Sequence, residues 1–137
     1  VIVVDASAII GIMAEEDDSE ALAALLQAQP IGPGRRYAST VTMWEAACAL
    51  ARIWKIDRSE AFAEAGEFVA AAEIAPIAPD MVITALAIDA SERYGLGGGR
   101  PGILNLGDCF SYATAKHLKA RLLFKGDDFG RTDIEPA

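Results

Sequence analysis

Hydrophobic and polar positions fall in blocks along this chain, and the period changes from block to block. Val1–Val4 is a continuous β-branched run, the pattern of a strand covered on both faces. Ser7–Met13 changes to helical spacing, and after the acidic run Glu15–Glu20, which reads as a solvated loop and helix start, Ala21–Gln29 continues as helix until Pro30 stops it. "PIGPG" is a turn cluster and Tyr37–Ser39 a short second strand. Thr40–Trp54 predicts a long helix with Val41, Trp44, Cys48 and Ala51 along one apolar face, and Arg58–Ala72 predicts a further amphipathic helix. Ile74–Ile77 reads as a third strand, weakened by Pro76, and Asp80 as the cap of a helix over Met81–Tyr94. Past the glycine-rich "GLGGGRPG", Leu106–Leu118 is helical, Arg121–Lys125 is a fourth strand and Thr132–Ile134 a short edge strand.

Strands separated by helices imply an α/β fold around a mainly parallel sheet covered on both faces. No repeat, linker or low-complexity tract divides the chain, so residues 1–137 are expected to form a single domain. Sheets of this type bind ligands outside the carboxyl ends of their strands.

Composition narrows the function. A hydrophobic share of 53% excludes a disordered chain. No apolar run reaches the length of a membrane span and no secretory signal is visible, which together with only two cysteines makes a reducing cytoplasm the expected compartment. Cys48 and Cys109 lie far apart, with His117 the single histidine, so neither a zinc site nor a disulfide framework is expected. A net charge of −8 argues against binding nucleic acid by bulk attraction. Nucleic-acid chemistry would need a local basic rim, for which Arg93, Arg100, Lys116, Lys119, Lys125 and Arg131 are candidates and scattered solubilising charges the simpler reading, or a bridging cation.

The acids are placed more tellingly. Asp5 is the only charge in the first fourteen residues, Glu45 the only one between Arg36 and Arg52, and Asp108 the only one between Arg100 and Lys116. Asp127 and Asp128 follow the fourth predicted strand. An unpaired buried carboxylate costs several kcal/mol, and several become tolerable if they converge on a shared cation. Oxygen ligands without thiols suit Mg²⁺ or Mn²⁺. Each acid also has an ordinary role open to it: Asp5 as a helix N-cap, Glu45 as a partner of Arg52 or Arg36, Asn105 and Asp108 as a variant capping box, and Asp127–Asp128 as a turn.

"VVDASA", the "WEAA" helix, "LNLGDCFSYATAK" and "LLFKGDDFGRTDI", in that order over essentially the whole chain, resemble the PIN domain, and most closely its VapC-type toxin ribonucleases. The resemblance implies a three-layer α/β/α fold with a central parallel sheet of about five strands. It implies Mg²⁺-dependent endonucleolytic hydrolysis of RNA, leaving 5′-phosphate and 3′-hydroxyl ends, at a cluster of four acids. By motif, Asp5, Glu45 and Asp108 match the first three acids, with Asp5 and Asp108 as direct metal ligands and Ser7 and Thr40 as supporting residues. The fourth acid departs from the family's T-x-D-x-D-F pattern: Phe124 replaces the hydroxyl residue and Gly126 the acid, so Asp127 or Asp128 must substitute, Asp127 being preferred. A VapB-type antitoxin partner and a homodimer, buried in part through the Thr40–Ala72 helices, are implied as well. A PIN-like interaction module with a structural ion is the non-enzymatic alternative.

Other motifs lead nowhere. Gly97, Gly99 and Gly102 form G-x-G-x-x-G, but after a predicted helix and around Pro101, which suits a loop rather than a dinucleotide site. Asp5-Ala6-Ser7 lacks the second acid of a D-x-D phosphatase, and His117 has no nucleophile motif nearby.

Overall fold

The computed structural model describes residues 1–97 and 102–137, so Arg100 and the middle of the glycine-rich loop lie outside the described residues. In chain order the elements are β1 (Ile2–Val4), α1 (Ala6–Met13), α2 (Ser19–Gln27), β2 (Arg36–Ser39), α3 (Thr40–Trp54), α4 (Arg58–Ala71), β3 (Ala75–Ile77), α5 (Met81–Tyr94), α6 (Leu106–His117), β4 (Arg121–Leu123) and a 3₁₀ turn at Phe129–Arg131. The sheet has the order β3-β2-β1-β4 and every pairing in it is parallel.

The side-chain period of the strands builds two cores, one on each face. From β1, Ile2 and Val4 enter the core formed with α1, α2, α3 and α4, while Val3 enters the one formed with α5 and α6. Leu123 and Leu122 of β4 divide the same way. Complete burial of such a side chain is worth roughly 1.5–3 kcal/mol, which sustains strands only three residues long. Pro76 is tolerated because β3 is an edge strand.

The sheet has four strands, one fewer than expected. Thr132–Ile134 does not form the edge strand: the Thr132 hydroxyl donates to the Phe129 carbonyl and accepts from the Ile134 N–H, which curls the segment. The tail reaches β4 only as a single parallel bridge between Leu122 and Pro136, and Pro136 has no N–H with which to extend a ladder. β4 also stops short of Lys125, whose N–H is taken by Ser7 Oγ at 3.0 Å.

Arg36, expected as one partner for Glu45, is buried elsewhere. Its guanidinium donates to the carbonyls of Gln29 (2.6 Å), Pro30 (3.2 Å) and Ala72 (2.8 Å), stitching the end of α2 to the end of α4. The apolar face predicted for α3 is also turned. Thr42, Met43, Ala46, Ala47 and Leu50 face inward together with Ala51, the one predicted face residue that is buried, whereas Trp44 is 65% exposed. The buried Thr42 and Ser111 hydroxyls meet at 3.1 Å across α3 and α6 and hold this rotation. Among the described residues both cysteines are free and no helix is long and apolar enough to cross a membrane.

The strand order reverses at β1: the chain steps outward to β2 and β3, then adds β4 on β1's other side. The crevice beyond the carboxyl ends of β1 and β4 is thus the switch point at which such sheets bind ligands.

Candidate active site

Asp5 is the residue immediately after β1, and its N–H donates to the Leu123 carbonyl of β4 at 2.9 Å. It does cap α1. One carboxylate oxygen, Oδ2, accepts from the Ser7 N–H at 2.9 Å and the Ser7 hydroxyl at 2.7 Å. The other, Oδ1, is buried with no hydrogen-bond partner, on a residue only 2% exposed. Capping therefore accounts for half of this carboxylate. Because Ser7 Oγ also receives the Lys125 N–H, it ties the ends of β1 and β4 together behind Asp5.

Glu45 projects from the second turn of α3. Its Oε1 is likewise buried and unpartnered. The carboxylate lies against Gly107 in the first turn of α6 so closely that a Cβ on that residue would overlap it. Asp108 is the next residue. Its carboxylate accepts from the Asn105 N–H at 3.1 Å while its own N–H donates to Asn105 Oδ1 at 2.9 Å, a complete capping box.

Asp5, Glu45 and Asp108 line one cleft of about 510 Å³, together with Ser7, Trp44, Arg52, Arg58 and Asn105. Electrostatics record their proximity. Burial, then the charges of Asp5 and Asp108, push the Glu45 carboxyl up to about 7. Burial pushes Asp108 up to about 6 against the opposing Asn105 hydrogen bond, with Asp5 and then Asp128 adding to the rise. Among the described residues no group of three or more His, Cys, Asp or Glu side chains is gathered closely enough to hold a metal ion. The acids instead face one another across an open cleft, with two buried carboxylate oxygens lacking any proton donor. That set fits a hard cation that takes one or two carboxylates and fills its remaining positions with water or phosphate oxygens.

Residues 2–135 match the PIN domain. The chain belongs to the PIN domain family. Over 96% of its length this PIN domain is 38% identical to a VapC ribonuclease of Rhizobium meliloti, covering 97% of that protein. It is 34% identical to ribonuclease VapC42 of Mycobacterium tuberculosis, with 98% of both chains covered. Among solved structures, Mycobacterium tuberculosis VapC20, a sarcin–ricin loop cleaving toxin, superimposes with a TM-score of 0.76 at 15% identity over 100% of this chain and 98% of that one. A toxin–antitoxin complex from Klebsiella pneumoniae gives 0.67 at 18%, over 97% of this chain and 93% of that one. At those identities the structural likeness concerns the fold.

The remaining sequence candidates fall variously in this PIN domain. Asp127 and Asp128 form the turn after β4, where Gly126 takes a φ of +93° and the Asp127 carbonyl accepts from the Gly130 N–H. Of the two, Asp128 is the one whose charge adds to the rise at Asp108. Ser7 supports Asp5 as described. Thr40, the first residue of α3, lines the neighbouring apolar groove and not the acid cleft, and it is Ser39 that caps the helix. Three of the proposed rim cations are held by carboxylates: Arg93 by Asp89 and Asp133, Lys116 by Asp133, Lys125 by Glu16 and Asp18. The cleft's own cations are Arg52 and Arg58.

Gly107, Thr42 and Ser111 support the site and were not singled out by sequence. The signal for Gly107 was its place inside "LNLGDCF", a glycine in the first turn of a helix where one is otherwise unfavourable. Gly107→Ala is expected to expel the Glu45 carboxylate from its niche and cost about 1–3 kcal/mol. Carbon-13 NMR titration should then show Glu45 falling from about 7 toward its ordinary 4.5, and an unchanged titration would disprove the contact.

Proposed function

We propose that this chain is a metal-dependent endoribonuclease, hydrolysing RNA phosphodiester bonds as the toxin of a toxin–antitoxin pair. Two buried, unpartnered carboxylate oxygens, on Asp5 and Glu45, facing one cleft with Asp108 carry the reading. The names of the curated relatives support the substrate class.

Asp5 and Asp108 would hold the ion, Mg²⁺ or Mn²⁺, with Asp128 adding negative charge beside Asp108. When bound, the ion would supply charge neutralisation at the scissile phosphate and lower the pKa of a water. Ser7 and Asn105 fix the two ligating carboxylates by hydrogen bonds and so reduce what must be ordered on binding. Glu45, raised to about 7, is placed to take a proton from the attacking water near neutral pH. Attack by water leaves a 5′-phosphate and a 3′-hydroxyl. An antitoxin would inhibit by covering the cleft. A homodimer buried in part through the Thr40–Ala72 helices belongs to the same reading, and the exposed Ile53 and Phe62 offer it apolar surface there.

The test is purified protein with a panel of structured RNAs, with Mg²⁺, with Mn²⁺ and with EDTA. Cleavage is expected only with the divalent ion, giving 5′-phosphorylated products. Calorimetric ion binding without cleavage of any RNA would replace the enzyme with the interaction module.

A further inference from the structure

We propose that Trp44, Arg52 and Arg58 form a nucleotide subsite beside the acids. The indole of Trp44 stacks one unpaired base of the RNA and the two guanidinium groups hold the adjoining phosphate. The inference rests on the ribonuclease reading and adds to it how the substrate is chosen.

Trp44 precedes Glu45 on α3, yet its ring is 65% exposed while Met43 on its other side is buried. It lines two concavities at once. One is the acid cleft; the other is an apolar groove of about 590 Å³ walled by Met43, Ala47, Phe62 and Val69. Cys48 and Arg58 are also shared, so the groove opens directly from the acids. Arg52 and Arg58 have no carboxylate partner among the described residues, where Arg93, Lys116 and Lys125 all do.

In a chain of net charge −8, two uncommitted guanidinium groups in an acid-lined cleft are complementary to an anion brought from outside. A phosphate matches their fork geometry. An exposed indole beside an apolar wall matches the face of a base, and every base has such a face. Stacking there requires a base out of its helix. The subsite therefore selects loops, bulges and single strands over duplex, with little reading of base identity.

The experiment uses a single-stranded oligoribonucleotide that the wild-type protein cleaves, and copies carrying one abasic position on either side of the scissile bond. One abasic position is expected to lower kcat/KM by about 5- to 100-fold, the range for one base–aromatic stack. Trp44→Ala should cause a similar loss and then be insensitive to that same abasic position, while Trp44→Phe restores most of the rate. Arg58→Ala should raise KM about tenfold at unchanged kcat and flatten the salt dependence by about one phosphate contact.

Losses that multiply independently, or a Trp44→Ala protein with normal RNA handling, overturn the subsite and leave the nuclease standing; the second result would make the groove a protein-binding face. Binding is read separately by quenching of Trp44 fluorescence in a Trp54→Phe background. Quenching by single-stranded RNAs of a panel from which the wild-type protein cleaves no member would overturn the nuclease and leave the subsite.

Discussion

Asp5→Asn is expected to leave a protein that is more stable and almost inactive. Asp5 is 2% exposed and one of its oxygens has no donor, while its charge raises the proton affinity of both Glu45 and Asp108. Asparagine keeps the oxygen that caps α1 and removes that charge. Without metal at pH 8 the gain should be about 1–3 kcal/mol, read as a higher urea midpoint at an unchanged m-value. RNA cleavage in Mg²⁺ should fall at least ~100-fold, since losing a ligating carboxylate forfeits several kcal/mol of transition-state stabilisation. Stability given up at a working site is a common trade in enzymes. A variant less stable than its parent in EDTA would show that the cap outweighs the repulsion, and full cleavage by a clean preparation would remove Asp5 from the chemistry.

The metal-free protein should lose stability as pH rises from about 4 to about 7. Glu45 and Asp108 keep their protons in the folded state up to about 7 and about 6, whereas their ordinary values are 4.5 and 3.8. Between those limits the native state binds more protons than the unfolded one, so unfolding free energy decreases with increasing pH. Below pH 4 both states are protonated and the contribution is at its most favourable. Solvent still reaches both groups, and after that discount the loss across the window is about 1–2 kcal/mol. Glu45→Gln should abolish about half of it, because the rise at Asp108 comes from burial, Asp5 and Asp128. On the proposed function metal would work in the opposite direction, because it would bind the deprotonated carboxylates and release their protons. Mg²⁺ should therefore bind more tightly at pH 8 than at pH 6, about twofold through the Asp108 ligand alone, and at 100 times its Kd it should restore about 2.7 kcal/mol. Urea melts in EDTA across this range and calorimetry at the two pH values check both signs. A flat metal-free profile would mean that neither burial nor mutual repulsion raises these two carboxyls.

Those expectations rest on contacts that only partly announce themselves in the sequence. Isolation of Asp5, Glu45 and Asp108 in apolar surroundings marked them, and the structure lines one cleft with all three. The capping roles open to Asp5 and Asp108 hold in the structure, since Asp5 caps α1 and Asp108 completes the Asn105 box. A carboxylate has two oxygens, and spacing cannot say that one is used locally while the other is left bare. The Glu45–Arg36 pairing failed for a different reason. Arg36 found three backbone carbonyls at the ends of α2 and α4, groups with no sequence signature of their own.

By itself the sequence determined the helices and four strands and their order along the chain, though not the absence of a strand at Thr132–Ile134, because periods of 3.6 and 2 and the caps at Asp80 and Asn105 are local matters. It also determined which carboxylates would be costly to leave unpaired. Only the tertiary structure decided the rotation of α3, locked by Thr42 against Ser111, which turns Glu45 and Trp44 toward the cleft. Only it decided that Gly107 gives the Glu45 carboxylate room, and that Asp128 is the acid acting on Asp108. Those outcomes depend on how close separate elements come to rest, and that is set by packing between residues distant in the chain rather than by neighbours along it.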